Sequence, residues 1–276
     1  MNDKVLRAGV MGWPVGHSLS PRLHTYWLKK YWIEGSYEAL AVPPEQLAQK
    51  LHELPERGFR GVNLTIPHKE AALMSMDELD PIAQRIGSVN MVMVRADGSL
   101  EGRNTDVYGF MQNLLTAGVD VQAGPATILG AGGSARAVVV ALQDMGAEEI
   151  RIVNRTPERA EALKRQMGGM IEVFPWDRAR SAMDGAMLLV NTTSLGMQGQ
   201  PPLEVTIDGL ARQAAVTDLV YAPLITGLLL RAQKRGHRIV DGLGMLLHQA
   251  RPAFAAFFGR DPEVTDDLRR YVLEGQ

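Results

Sequence analysis

Four groups of residues have the types and spacing to do chemistry. Lys69 closes the run Asn63-Leu64-Thr65-Ile66-Pro67-His68-Lys69, in which Pro67 is expected to start a helix. A cation in a first helical turn faces the positive end of the dipole. A lysine in that position is suited to giving up and retaking a proton. The plainer reading is a solvated surface lysine. Asp106 follows Gly102-Arg103-Asn104-Thr105 and opens an expected helix over 107–117. It either caps that helix or serves as a carboxylate partner for Lys69. Ser18 and Ser20 lie in a loop between an expected strand and helix, with Ser20 before Pro21 as an N-cap and N1 pair. Two hydroxyls at such a place can bind a small carboxylate, or simply cap the helix.

The fourth group is Ile128-Leu129-Gly130-Ala131-Gly132-Gly133-Ser134-Ala135. Its spacing fits G-x-G-x-x-G/A between a strand and a helix. Gly130 allows the sharp turn, Gly132 the approach of a pyrophosphate, and Ala135 close helix packing. The alternative is a tight strand-to-helix connection with no ligand. A second strand over 149–153 makes this a βαβ unit. Such units usually carry Asp or Glu at the second strand tip, about 20 residues on, to hold a ribose hydroxyl. Here the tip reads Asn154-Arg155-Thr156-Pro157-Glu158-Arg159. Two arginines favour a phosphate, hence NADP over NAD. The plainer reading is a solvated arginine pair with Thr156 as helix N-cap.

These groups need elements to hold them. Strands are expected over 5–11, 37–42 and 58–64, with helices over 22–32 and 44–54 between them. A hairpin around Ala96-Asp97-Gly98 follows, and Asn90 inside its first arm should be buried and in need of a partner. Strands over 126–129, 149–153, 186–190, 215–221 and 237–240 alternate with helices, and a long helical region begins near Asp241. The pattern is α/β with parallel sheets. Two domains are expected: 1–106 plus 241–276, with the C-terminal helices packing back, and a Rossmann-like unit over 107–240. Ser18, Ser20, Thr65, Lys69, Asn154 and Tyr221 all follow strands. Ligands in such folds bind outside the carboxyl ends of strands, so one cleft is expected.

Composition narrows the classes. The chain has 276 residues, 46% hydrophobic and 22% charged, with a formal net charge of −2 and no cysteine. No basic field points to nucleic acid. Disulfides, thiolate catalysis and cysteine metal sites are excluded. The six histidines are scattered, so no metal site is expected, and His68 and His248 are read as helix-surface residues. No apolar run reaches the length of a membrane span, and no leader is read at residues 1–4. A cytoplasmic enzyme is the expectation.

In the order and content of its motifs the chain resembles the shikimate dehydrogenase family. The matching segments are His17-Ser18-Leu19-Ser20-Pro21, the 63–69 run, Gly87-Ser88-Val89-Asn90, Asn104-Thr105-Asp106, the glycine turn, Asn154-Arg155-Thr156, Asn191-Thr192-Thr193-Ser194-Leu195-Gly196-Met197, Asp218-Leu219-Val220-Tyr221-Ala222-Pro223 and residues 242–250. The resemblance implies reversible reduction of 3-dehydroshikimate to shikimate by NADPH. It implies that Ser18 and Ser20 hold the substrate carboxylate, that Thr65, Asn90, Asp106 and Gln249 bind ring hydroxyls, and that Tyr221 lines the substrate site. Lys69 and Asp106 would be the catalytic pair. Gly130, Ala131, Gly132, Gly133 and Ser134 would bind the pyrophosphate, and Asn154, Arg155, Thr156 and Arg159 the 2′-phosphate. Leu219, Gly242 and Met245 would sit near the nicotinamide. The chain departs from the family pattern at Thr25 after His24, and at Ser88 and Met91 around Asn90. Those departures bear on substrate preference. A quinate/shikimate dehydrogenase of dual specificity is the alternative enzyme. A folate-acting NADP dehydrogenase is disfavoured by the serine pair and by Asn104-Thr105-Asp106. A non-catalytic NADP-binding sensor is the alternative from another class. The sequence leaves the oligomeric state open, a homodimer included.

Overall fold

The computed structural model describes residues 5–274. The leader reading at residues 1–4 lies outside them. Two compact units emerge: one comprises residues up to Thr105 and from Leu247 onward, the other Asp106–Leu246.

The first unit is built on β1 (Leu6–Gly12), β2 (Gly35–Ala41), β3 (Phe59–Leu64), β4 (Glu78–Leu79), β5 (Met91–Val94) and β6 (Leu100–Arg103), in spatial order β2-β1-β3-β5-β6-β4. β1 pairs in parallel with both β2 and β3, while β5 runs antiparallel to β3 and to β6. The sheet is therefore mixed rather than parallel. The reason is local: the hairpin at Ala96-Asp97-Gly98, with Gly98 at φ +86°, returns the chain at once, which no parallel pair can do. Its helices are α1 (Ser20–Lys30), α2 (Leu47–His52), α3 (His68–Ala71) and α4 (Pro81–Ile86).

The second unit holds α5 (Asp106–Thr116), β7 (Ala126–Leu129), α6 (Gly133–Asp144), β8 (Ile150–Asn154), α7 (Pro157–Met167), β9 (Ile171–Pro175), α8 (Ala179–Met183), β10 (Leu188–Asn191), β11 (Ala215–Asp218), α9 (Gly227–Lys234) and β12 (Arg238–Val240). Its strands lie in the order β12-β11-β10-β7-β8-β9, all parallel. Counted from β7, that is the doubly wound 3-2-1-4-5-6 order, which reverses between β7 and β10. Near-continuous burial of β7, β10 and β11 follows from helices covering both faces.

The chain passes from the second unit back to the first inside α10 (Gly242–Phe258), and α11 (Asp266–Leu273) closes the first unit. These helices pack back on α1. Phe254 meets the Trp27 ring at 5.2 Å, Trp27 Nε1 donates to the Glu263 carbonyl, and Arg22 Nε donates to that of Tyr271.

Candidate active site

In the first unit, site residues gather where the order turns around β1, at the carboxyl ends of β1 and β3. The Thr65 amide donates to the Met11 carbonyl at 2.9 Å, and the Trp13 amide to that of Ile66 at 3.1 Å. This leaves Gly12 against the Thr65 methyl, with no room for a side chain. Ser18 precedes α1, and its hydroxyl accepts the Ser20 amide at 3.3 Å. Ser20 is not the N-cap. Leu19 occupies that position, and Ser20 is the first helical residue beside Pro21.

Asn90 is 2% exposed. Its Oδ1 accepts the Thr105 amide at 2.8 Å, which fixes its Nδ2 toward the Thr105 hydroxyl at 3.0 Å and Gln249 Oε1 at 3.3 Å. The buried amide thus finds partners from the end of β6 and from α10. A second buried amide is Asn63 on β3, which opens the 63–69 run but is assigned no role of its own there. Its Oδ1 accepts the Tyr37 phenol at 2.8 Å, and its Nδ2 donates to the Asn90 carbonyl at 3.2 Å.

Lys69 lies in α3, which is a single turn followed by a 3-10 turn over Ala72–Ser75. So short a helix has almost no dipole, and the dipole argument for Lys69 lapses. What positions the residue is its backbone: the Lys69 carbonyl accepts the Val89 amide at 2.8 Å, beside Asn90. His68 is not on the helix surface. It is fully buried, donates Nε2–H to the Val42 carbonyl at 2.8 Å, and is held toward the neutral form by burial. His248 is partly buried on α10, with its pKa also lowered by burial.

In the second unit the glycine turn lies at the switch point. Gly130 has φ +107°, and a Cβ there would stand 2.6 Å from Thr192 Oγ1. The Thr192 amide and hydroxyl both donate to the Leu129 carbonyl, at 2.9 and 2.7 Å, which locks the β10 loop against the turn. Gly132 caps α6 without a side chain, and nothing of the chain lies within 4 Å of where its Cβ would be. The amides of the first helical turn, at Gly133 and Ser134, have no partner within the helix, as at any helix start. Ala135 is fully buried, as close helix packing requires. Ala131 is partly buried beside it. At the tip of β8, Asn154 Nδ2 donates to the Thr156 carbonyl at 2.8 Å. Thr156 is the N-cap of α7 by position, without a side-chain bond. Arg155, Thr156 and Arg159 are exposed.

The loops after β10 and β11 are organised by a carboxylate. Asp218 is fully buried. Its Oδ1 accepts Asn191 Nδ2 at 2.9 Å and the Val220 amide at 3.0 Å, and its Oδ2 accepts the Thr226 hydroxyl at 2.7 Å. This shapes the segment carrying Leu219 and Tyr221, whose phenol burial pushes its pKa up. Gly242 abuts the Leu219 carbonyl so closely that only glycine fits. The start of α10 is held by Asn113, which donates Nδ2–H to the Asp241 carbonyl at 2.9 Å, and Met245 is buried in the next turn.

Burial raises the pKa of Asp218 from 3.8 to about 6, against the three hydrogen bonds that lower it. A carboxyl whose folded pKa is raised stabilises fully below its unfolded pKa and loses that stabilisation as pH climbs through the folded one. The loss amounts to about 3 kcal/mol, at about 1.4 kcal/mol per pKa unit. Denaturation curves from pH 4 to 7 should show wild-type stability falling relative to Asp218→Asn, then levelling. A pH-independent difference would refute the shift.

Fold and turn together define a two-unit α/β protein with a Rossmann-type dinucleotide-binding unit. The model of the shikimate dehydrogenase substrate binding domain matches residues 10–92, and that of shikimate / quinate 5-dehydrogenase matches 115–196. A shikimate dehydrogenase (NADP(+)) of Paramagnetospirillum magneticum is 53% identical over 99% of this chain and 100% of its own. The shikimate 5-dehydrogenase of Thermus thermophilus, solved with NADP(H) and shikimate, matches at TM-score 0.89 and 41% identity over 99% of this chain and 100% of its own. The quinate dehydrogenase of Corynebacterium glutamicum, solved with NAD, matches at TM-score 0.90 and 28% identity over 98% and 99%. The chain belongs to the shikimate dehydrogenase family.

Among the described residues no group of three or more His, Asp or Glu could hold a metal ion, and no helix is long and apolar enough to cross a membrane.

Proposed function

We propose that the protein catalyses the NADPH-dependent, reversible reduction of 3-dehydroshikimate to shikimate, a step of aromatic amino-acid biosynthesis. The observation that carries this reading is the end-to-end likeness to the Thermus thermophilus enzyme, which was solved with both NADP(H) and shikimate. In this reading residues 1–106 with 241–276 bind the substrate, and 107–240 hold the dinucleotide. NADPH supplies the hydride when bound. The Lys69 ammonium donates a proton to the oxygen that was the ring ketone, and retakes it in the reverse direction. The Asp106 carboxylate holds a ring hydroxyl and keeps it in register with Lys69. Ser18 and Ser20 hold the substrate carboxylate, Thr65, Asn90 and Gln249 the hydroxyls, and Tyr221 lines the same site. Gly130–Ser134 take the pyrophosphate, Asn154–Arg159 the 2′-phosphate, and Leu219, Gly242 and Met245 flank the nicotinamide. The reading places the enzyme in the cytoplasm and leaves its oligomeric state open, a homodimer included.

Likeness to a quinate dehydrogenase solved with NAD supports one alternative, dual specificity. An absorbance assay with shikimate or quinate, each with NADP⁺ or NAD⁺, separates the two. Rapid reduction only with shikimate and NADP⁺ is expected. In the same assay Arg155→Asp should raise the KM for NADP⁺ about 10- to 100-fold, the value of a charge-assisted hydrogen bond, and leave that for NAD⁺ nearly unchanged. Turnover of quinate with NAD⁺ would establish the alternative.

A further inference from the structure

The buried hydrogen bonds of the first unit have a direction. The Asn90 carbonyl can only accept, so Asn63 must turn its amide nitrogen toward it, at 3.2 Å. That leaves Asn63 Oδ1 facing Tyr37, and the phenol must then donate, at 2.8 Å. A flipped Asn63 would set two oxygens against each other at one end. The Asn90 carbonyl also accepts the Leu64 amide at 2.8 Å, so the relay ends on the backbone that carries the Asn90 side chain. That side chain in turn bonds Thr105 and Gln249.

Tyr37 is itself held in place. The His24 ring stacks on it with centroids 3.9 Å apart and planes 5° apart. His24 is fully buried, and neither ring nitrogen has a hydrogen-bond partner. Burial lowers its pKa to about 3, so it is a neutral, flat wall. The Ser20 hydroxyl is also close enough to the phenol to act on its ionisation. Tyr37 thus stands between the serine loop and the amide cluster, on a strand that contributes none of the residues assigned to the site.

We propose that Tyr37 is a positioning residue for the substrate: its phenol fixes the amide orientation of Asn63, and through it the hydrogen-bond pattern that Asn90 and its partners present to the ring hydroxyls. This inference rests on the proposed function. Without the phenol, Asn63 Oδ1 is a buried acceptor with no donor, a costly state that drives the amide to seek another partner. The second unit is untouched by that change.

Tyr37→Phe keeps the ring and its stack on His24 and removes one oxygen. The KM for shikimate should rise about tenfold, with kcat within twofold and the KM for NADP⁺ unchanged. A shikimate KM within twofold of wild type would overturn the proposal, as would an equal rise in both KM values, the mark of a general loss of structure. Should Tyr37→Phe fail to give folded protein by circular dichroism, Asn63→Ser breaks the relay at its other member, and the same split decides. Wild-type protein that does not turn over shikimate would overturn the function reading itself. An active wild type with an unaltered variant would overturn only the role of Tyr37.

Discussion

Lys69→Ala should lower turnover about 10²- to 10⁴-fold, the range that a positioned proton donor contributes, while the KM for shikimate changes by no more than a few-fold. As hydride reaches the ring carbon, the ketone oxygen becomes an alkoxide, and a proton must arrive with it. In the proposed reading the ground state is held chiefly by the serine loop and by the hydroxyl-binding residues around Asn90. The α3 turn keeps its own anchors, the His68–Val42 bond and the Val89 amide on the Lys69 carbonyl, so truncation of the side chain should leave the backbone in place. Steady-state kinetics with shikimate and NADP⁺ measures both constants. A variant with normal kcat and a KM raised a hundredfold would make Lys69 a binding residue.

The second large effect separates two glycines two residues apart. Gly132→Ala should leave the melting temperature unchanged yet weaken NADPH binding more than tenfold. Its φ of −93° suits any residue, and the chain leaves open space at its Cβ. In the proposed reading a methyl group there meets only the bound dinucleotide. Gly130→Ala should lose both. Its φ of +107° is left-handed, and the Thr192 hydroxyl stands 2.6 Å from the added atom, a strain of about 1–3 kcal/mol. Thermal melts and NADPH fluorescence titrations of the pair provide the test. Equal melting temperatures with unequal affinities in the opposite order would mean that the pyrophosphate does not lie on this turn.

The second unit is legible in the sequence because its signals are local. The apolar run over Ala126–Leu129 is bounded by a turn residue on each side, and the strand forms over the same four residues as expected. The glycine spacing and the arginines after β8 need only a dozen neighbours to be read. In the first sheet the antiparallel hairpin around Ala96-Asp97-Gly98 is legible, but the antiparallel pairing of β3 with β5 is not, since periodicity says nothing about which strand pairs with which. β9 carries no such signal: only Ile171 of its residues is buried, so it lacks a core-facing pattern. For Lys69 the position is right and the reason wrong: Pro67 does precede helical backbone, but the helix stops after one turn. Tyr37, Asn63 and Asp218 are invisible as site-shaping residues for a single cause. Each has a partner 26 or 27 residues away, Asn63 for Tyr37, Asn90 for Asn63 and Asn191 for Asp218, and one sequence carries no mark of such pairs.

The first unit is discontinuous in the chain: its segment from Leu247 onward is made only after the whole of Asp106–Leu246. Until then Trp27, fully buried in the finished protein, lacks both Phe254 beside it and the Glu263 carbonyl that its indole donates to. Domains generally fold as units during synthesis, the N-terminal one first. Here that order is reversed. The second unit has all its residues while the first still waits for the segment from Leu247 onward, which supplies the cover for Trp27 on α1.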